Sequence, residues 1–484
     1  MQESHQISFT EIDMKQKYAY FSKNILFFTI GSFVPKLLQF LLVPLYTSYL
    51  TTAEYGISDL ISVTVSLFIP VFTLGIQDAV LRFALDDNYK KEDVFSAAMK
   101  IILAGFLLLV LGSGFVSGWE FGSFDKQYIP YFLIMYLVSA MSNSVSLFCR
   151  GTDQIATMVV AGILNTVVTL VSNILFLTVF RLGLAGFLQA NILGSLTALL
   201  FCIVRARLYC YVKFRTPRNV YRDMTIFSIP LIFNVIAWWI NSALDKYILT
   251  WFAGVAVSGI YAVSYKIPNI LSVFQGIFFQ AWSVSAVKEF DREDSDGFFT
   301  TIYSLVAFAM AAMCSAVMIV NVPLAKLLFA RDFFEAWKFT SPLLVSAVFN
   351  AMSLLIGSIF NAVKDSKTLA VSTGIGAAVN TVCNLLLIPR FGAYGAAVAT
   401  LAGYAVVWCI RQRVLKKHIR MRVDRIRELT TYLFLIAQMA VSSRGNASIP
   451  MQMIVFGMIL VLYRRELVSI CGQVLGWVDK RIKG

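Results

Sequence analysis

The chain has 484 residues, 58% of them hydrophobic and 14% charged, with a formal net charge of +14. Soluble domains carry about one-quarter charged residues, so this composition excludes a water-soluble fold and points to one solvated by lipid. Its two histidines, His5 and His418, fall outside the apolar runs, which sets aside His-based triads, haem ligation and most zinc chemistry. The seven cysteines are odd in number and sit in or at the inner ends of apolar runs, which argues against a disulfide framework.

Residues 1–22 are polar and mixed in charge, with no apolar core leading to a small-residue cleavage site, and are expected to stay cytoplasmic. Apolar runs follow near 24–46, 57–82, 96–118, 128–149, 156–180, 186–206, 224–247, 257–287, 298–321, 339–363, 368–388, 394–411, 428–443 and 450–463. Most of them meet the ~20 residues that a bilayer-spanning helix needs. Stretches such as Ile101–Val110 are apolar on every side, unlike barrel strands with a polar lumen face. The expected fold is therefore an all-α integral membrane protein of 14, alternatively 12, transmembrane helices. The expected organisation is an N-lobe at 23–208, an inter-lobe cytoplasmic loop at 209–223 and a C-lobe at 224–412. A basic loop at 413–427, a final helix pair at 428–463 and a cytoplasmic tail at 464–484 follow.

Charge distribution orients this scheme. With the N-terminus inside, cytoplasmic segments hold 31 of the 41 Lys and Arg, outer segments hold eight, and Lys36 and Lys266 lie within helices. That asymmetry follows the positive-inside rule and accounts for the basicity without a nucleic-acid partner. The stretch 411–427 is an inner loop obeying the rule, and its cations also suit anionic lipid headgroups.

An internal repeat is visible at an offset of 209 residues: RLGLAGFLQANILG (181–194) aligns with RFGAYGAAVATLAG (390–403), sharing the R-x-G-x-x-G turn and a final glycine. Tyr55-Gly56-Ile57 likewise stands opposite Ser258-Gly259-Ile260. The repeats enter the membrane from the same side, which makes two parallel six-helix lobes, an arrangement in which transporters hold substrate at the repeat interface.

A charge within hydrocarbon costs at least about 2.5–3.5 kcal/mol on insertion scales, so each one needs a partner, a wet cavity or a function. Lys36, thirteen residues into the 24–46 run, is the deepest, and Pro35 and Pro44 mark that run as kinked. Lys266, two residues before Pro268, is the second. Asn234, Trp238, Asn241 and Asp245 recur at helical spacing on one face, a pattern that lines a cavity or glues helices together. Asp78 and Arg82 are four apart and can pair along one face. For all of these the structural alternative is an ion pair or a packing role. Asn350, Gly357 and Asn361, and Gly376, Asn380 and Asn384, read as small-residue packing. No G-x-x-x-x-G-K-S/T is present, so this chain has no phosphate loop of the kind that drives ATP-powered transport.

The stretches PKLLQFLLVPLYTSYLTTAEYGISDL (35–60), GIQDAVLRFALDD (75–87), LDKYILTWFAGVAVSGIYAVSYKIP (244–268) and NTVCNLLLIPRFGAYGAAVAT (380–400) resemble the polysaccharide (lipid-linked oligosaccharide, O-antigen) flippases of the multidrug/oligosaccharidyl-lipid/polysaccharide exporter superfamily. The resemblance implies a transporter, not an enzyme, without a cofactor or bound metal. Its cargo would be undecaprenyl-diphosphate-linked repeat units moved from the cytoplasmic to the outer leaflet by alternating access. It also implies a coupling ion (H+ or Na+), membrane lipids, a polysaccharide polymerase and a chain-length regulator as partners. The place would be a bacterial cytoplasmic (inner) membrane, with both termini cytoplasmic. Substrate contacts then fall to Lys36, Lys266, Asn234, Asn241, Asp245 and Arg82, ion coupling to Asp78 or Asp245, and hinge bending to Pro35, Pro44 and Pro268. An ion-coupled drug or metabolite antiporter of the same superfamily is the alternative. A membrane polysaccharide polymerase fits less well, because the longest outer segment, 322–338, has no histidine.

Overall fold

A computed structural model describes residues 36–116 and 126–467, and every element within them is helical. Pro35 and the whole of the 24–46 run before it, His5, Cys471 and most of the expected tail at 464–484 lie outside the described residues. Sixteen α-helices are used below: α1 (Val43–Tyr49), α2 (Thr52–Phe72), α3 (Ile76–Ala84), α4 (Lys91–Val116), α5 (Ile129–Gly151), α6 (Ile155–Ile174), α7 (Gly183–Arg205), α8 (Arg218–Ala253), α9 (Val255–Ser264), α10 (Asn269–Lys288), α11 (Phe298–Ile319), α12 (Asn321–Leu328), α13 (Trp337–Ala362), α14 (Ser366–Leu415), α15 (Arg425–Ser442) and α16 (Ile449–Leu462). Among the described residues, nine helical segments are long and apolar enough to cross a membrane, and three shorter apolar ones accompany them.

Local chemistry explains where these helices begin and end. Thr51 and Glu54 form a reciprocal capping box at the start of α2, with the Thr51 amide donating to Glu54 Oε2 at 2.8 Å and the Glu54 amide to Thr51 Oγ1 at 3.2 Å. Asp294 receives the amides of Phe299 at 2.9 Å and Thr300 at 3.0 Å at the head of α11. Asp365 caps α14: the Thr368 hydroxyl at 2.6 Å and the Thr368 amide at 3.0 Å hold its carboxyl below the usual carboxylate range.

Two expected continuous helices are broken. The 57–82 run ends at Phe72, where Leu74 (φ 53°) and Gly75 (φ 63°) are left-handed and the Gly75 amide reaches back to the Pro70 carbonyl at 2.8 Å, before α3 begins. That is a helix C-terminal closure inside a membrane run. The 257–287 run is likewise interrupted at residues 265–268, between α9 and α10. The expected helices at 368–388 and 394–411 are the two halves of α14, which are separated by non-helical backbone at Gly392 (φ 54°, ψ −133°). Part of the 322–338 segment expected as a loop is helical, as α12.

The described residues form two compact units: one holds those up to Leu50 and Ile57–Ile236, the other Thr51–Gly56 and those from Ala237 onward. The first is built around α3 to α7, with Ile76, Val94, Ile102, Tyr136 and Phe148 in its core. The second centres on α13, which packs on α10, α11, α14 and α15, and its core includes Cys314, Leu344, Val348, Met352 and Phe360.

The sequence repeat has a backbone counterpart within each unit. Gly183 (φ 56°) and Gly392 (φ 54°), at the same place in R-x-G-x-x-G, are both left-handed. Each stands at the turn of a helical hairpin, α6 against α7 in one unit and the two halves of α14 in the other. Their arms touch at the repeat's final glycines. A Cβ on Gly194 would lie 1.9 Å from Thr169 Oγ1, and one on Gly403 would lie 3.0 Å from the Asn380 side chain. In the second unit, Gly56 and Gly259 meet backbone to backbone: a Cβ on Gly56 would lie 2.2 Å from the Val255 carbonyl, and one on Gly259 would lie 2.0 Å from that of Thr52. Rigid carbonyls cannot give way, so Gly259→Ala should destabilise the protein by more than about 1–3 kcal/mol, the usual range for overpacking. The check is thermal unfolding in detergent beside Gly112→Ala, where a Cβ meets nothing within 4 Å; equal unfolding temperatures would contradict the close approach.

Candidate functional site

The expected site residues occupy several environments. Lys36 lies in helical backbone that meets a turn at Leu42 just before α1, and Pro44 sits in the first turn of α1. Its side chain is exposed and forms no ion pair or hydrogen bond with any described residue. Lys266 stands in the interruption between α9 and α10, half-buried, with its backbone amide on the Val263 carbonyl at 2.9 Å. Its ammonium likewise has no partner among the described residues. Pro268 then caps the start of α10, where its missing amide leaves no helical hydrogen bond unmade. Lys266 thus lies within a break in regular backbone, whereas Lys36 lies six residues before the turn at Leu42; non-helical structure at membrane depth is tolerated only if it is buried in protein or faces a wet cavity.

Arg82 pairs with Asp86 at 3.6 Å rather than with Asp78, and its side chain is 58% exposed. The expected same-face pair along α3 is therefore replaced by one a turn further on, which leaves Asp78 exposed without a hydrogen bond or ion pair from any described side chain. Of the stripe on α8, Trp238 is 38% exposed whereas Asp245 is 2% exposed. The side chains of Asn234 and Asn241 lie outside those described.

Asp245 is the centre of a polar cluster in the second unit. Its Oδ2 accepts from the Tyr261 hydroxyl at 2.7 Å and from the Tyr265 hydroxyl at 3.2 Å. The two phenols are 2.9 Å apart, and Thr400 Oγ1 lies 3.5 Å from that of Tyr261. Lys246 reaches over the Tyr265 ring at 5.9 Å. A carboxyl held by hydroxyl donors in a membrane helix presents oxygen lone pairs, the donor chemistry that suits a proton or a small hard cation.

Tyr261, Tyr265 and Thr400 were not legible as site residues, because only the fold brings α9 and α14 to α8. Their sole sequence signal is the i, i+4 spacing of the two tyrosines. Arg411 was also missed. It reads as the edge of a basic loop, yet α14 runs to Leu415 and buries it to 3% exposure. Its guanidinium donates to the Ser353 carbonyl at 2.7 Å, Ser372 Oγ at 3.0 Å and Thr373 Oγ1 at 3.0 Å, binding α13 to both halves of α14. Asn380 and Asn384, read as packing residues, pair with each other at 2.9 Å within α14.

Broken apolar helices, a cation within one break and a buried carboxylate cluster characterise a polytopic helical membrane protein, and solved structures share its fold. A lipid II flippase, MurJ, in an inward closed conformation superimposes with a TM-score of 0.66 at 13% identity, covering 92% of this chain and 100% of that one. An inward-facing multidrug resistance MATE family transporter gives 0.63 at 13% identity, with 87% and 99% covered. The chain belongs to the polysaccharide biosynthesis protein family, whose model matches residues 21–284. An uncharacterized membrane protein of Methanocaldococcus jannaschii is 24% identical over 450 residues, 82% of this chain and 84% of that protein.

The Asp245 cluster makes a measurable demand on stability. A hydrogen bond to a charged group contributes about 1.5–3 kcal/mol, so Tyr261→Phe should lower stability by that order. Thermal unfolding of the purified protein reads the loss, and an unchanged midpoint would show that the phenol does not hold the carboxylate.

Proposed function

We propose that this protein flips undecaprenyl-diphosphate-linked oligosaccharide repeat units from the cytoplasmic to the outer leaflet of a bacterial inner membrane, by ion-coupled alternating access. The orientation supporting this reading is the one favoured by its basic loops, with both termini cytoplasmic. The observation that carries it is chemical: in a chain of the polysaccharide biosynthesis family, Lys36 and Lys266 have no anionic partner among the described residues, and Lys266 stands within a helix break. An unpartnered ammonium in a membrane protein attracts an anion, and a diphosphate offers charge-assisted hydrogen bonds to it. Pro44, just past the turn at Leu42, and Pro268, at the end of the 265–268 break, are the hinges about which the cation-bearing segments bend. Asp245, with its phenolic partners, takes the coupling proton or sodium ion. The polymerase and chain-length regulator of surface-polysaccharide assembly are the partners this activity would feed.

An ion-coupled drug or metabolite antiporter has one observation in its favour, the buried Asp245 carboxylate, since carboxylates also receive cationic cargo. The lysines separate the two readings. Lys36→Ala and Lys266→Ala, at unchanged protein level, should each reduce surface polysaccharide about 10- to 100-fold, the equivalent of one charged hydrogen bond to substrate, with Lys→Arg largely restoring it. Wild-type polymer in both alanine variants would sink the flippase reading.

A further inference from the structure

The first unit contains a cleft of about 290 Å³ lined by Ser66, Pro70, Gln77, Asp78, Asn143 and Ile232, among others. Its walls come from α2, α3, α5 and α8, and it exists because the membrane run breaks at Leu74 and Gly75. A continuous helix would carry its hydrogen-bond ladder through this point, whereas the break ends α2 at Phe72 and starts α3 two residues before Asp78.

Polar capacity in the cleft is left open by the protein. The Asp78 carboxylate and the Asn143 amide, both exposed, make no side-chain hydrogen bond or ion pair with described residues. Arg82, the nearest cation along α3, is engaged by Asp86 at 3.6 Å. The Ser66 hydroxyl gives its proton to the Val63 carbonyl at 2.7 Å and so faces a ligand with acceptor lone pairs only. Gln77 Nε2 is enclosed without an acceptor. The apolar surfaces of Pro70 and Ile232 complete the lining.

We propose that this cleft is the subsite for one neutral or amino-sugar ring of the lipid-linked headgroup, an assignment that rests on the flippase reading above. A pyranose presents hydroxyls that both donate and accept around its edge, and C–H faces that lie on apolar walls. The cleft offers it a carboxylate, an amide and a hydroxyl together with aliphatic surface. Its volume is at the small end for ligand pockets, room for a ring rather than an oligosaccharide, and far more than a metal ion or proton requires. The negative charge of Asp78 discriminates against a uronic acid at this position. On the proposed topology the cleft lies in the cytoplasmic half of the run, where the headgroup loads.

The test uses the full chain in nanodiscs and compares binding of undecaprenyl diphosphate with that of the same lipid bearing one glucose, galactose, N-acetylglucosamine, N-acetylgalactosamine or glucuronic acid. At least one neutral sugar should tighten binding about tenfold over the sugar-free lipid, as one charged hydrogen bond would, and glucuronic acid should not. Asn143→Leu should bring the ratio of sugar-bearing to sugar-free affinity close to one, and the isosteric Asp78→Asn should lower it part-way. Lys36→Ala should weaken both lipids by the same factor and leave the ratio intact. A ratio of one for all four neutral sugars, or a ratio that survives both cleft substitutions, overturns the assignment. Binding that instead gains a sodium or pH dependence removed by Asp78→Asn, with no sugar increment, also overturns it and gives the cleft to the coupling ion. Failure of the wild-type protein to bind even the sugar-free lipid defeats the flippase reading itself.

Discussion

Lipid removes the usual reason for helices to associate, because a leucine is as well solvated by acyl chains as by another leucine. What remains is dispersion and polar contact at close range, and close range requires residues without a Cβ. Gly56 and Gly259 meet across two backbones, Gly105 would place a Cβ 2.0 Å from the Phe72 carbonyl, and Gly376 would place one 2.3 Å from Val407. Where a polar side chain is added, it binds rather than decorates. Arg411 ties three helical segments together, Gln438 of α15 receives the Ser315 hydroxyl at 2.6 Å, and Glu428 of the same helix accepts from the Tyr303 hydroxyl of α11. The helical scaffold depends on these few approaches.

Against that tight scaffold the broken segments stand out. The interruptions at residues 73–75 and 265–268 release backbone groups from the helical ladder at the places where Asp78 and Lys266 emerge. A break and a charge each cost free energy at membrane depth. Placing the two together means that one wet region serves both, and such discontinuous helices are the usual housing for substrate and ion groups in transporters. Asp245 follows a different logic, since it lies in an unbroken stretch of α8 and is kept polar by the phenols of Tyr261 in α9 and Tyr265 just past its end.

Much of this was legible in the residues. The apolar runs give the all-helical membrane class because hydrocarbon accepts no other backbone here, and the offset of 209 gives a repeat that the backbone carries in Gly183 and Gly392. Lys36, Asp78, Asp245 and Lys266 could be singled out by cost alone. The pairing of Arg82 was misread, because spacing along one helix allows Asp78 and Asp86 equally and only rotamer and surroundings choose between them. Arg411 was misread as a loop cation because burial by three segments leaves no periodic trace.

The chain by itself thus determined its solvent, its class, its internal duplication and the identity of its costly charges, since these follow from residue type summed over runs of about 20 positions. Tertiary structure alone decided where the runs break, which hydroxyls surround Asp245, and that Ser66, Asp78 and Asn143 share one cleft. Those are contacts between residues tens to hundreds of positions apart, set by helix packing in three dimensions, and no local spacing encodes them.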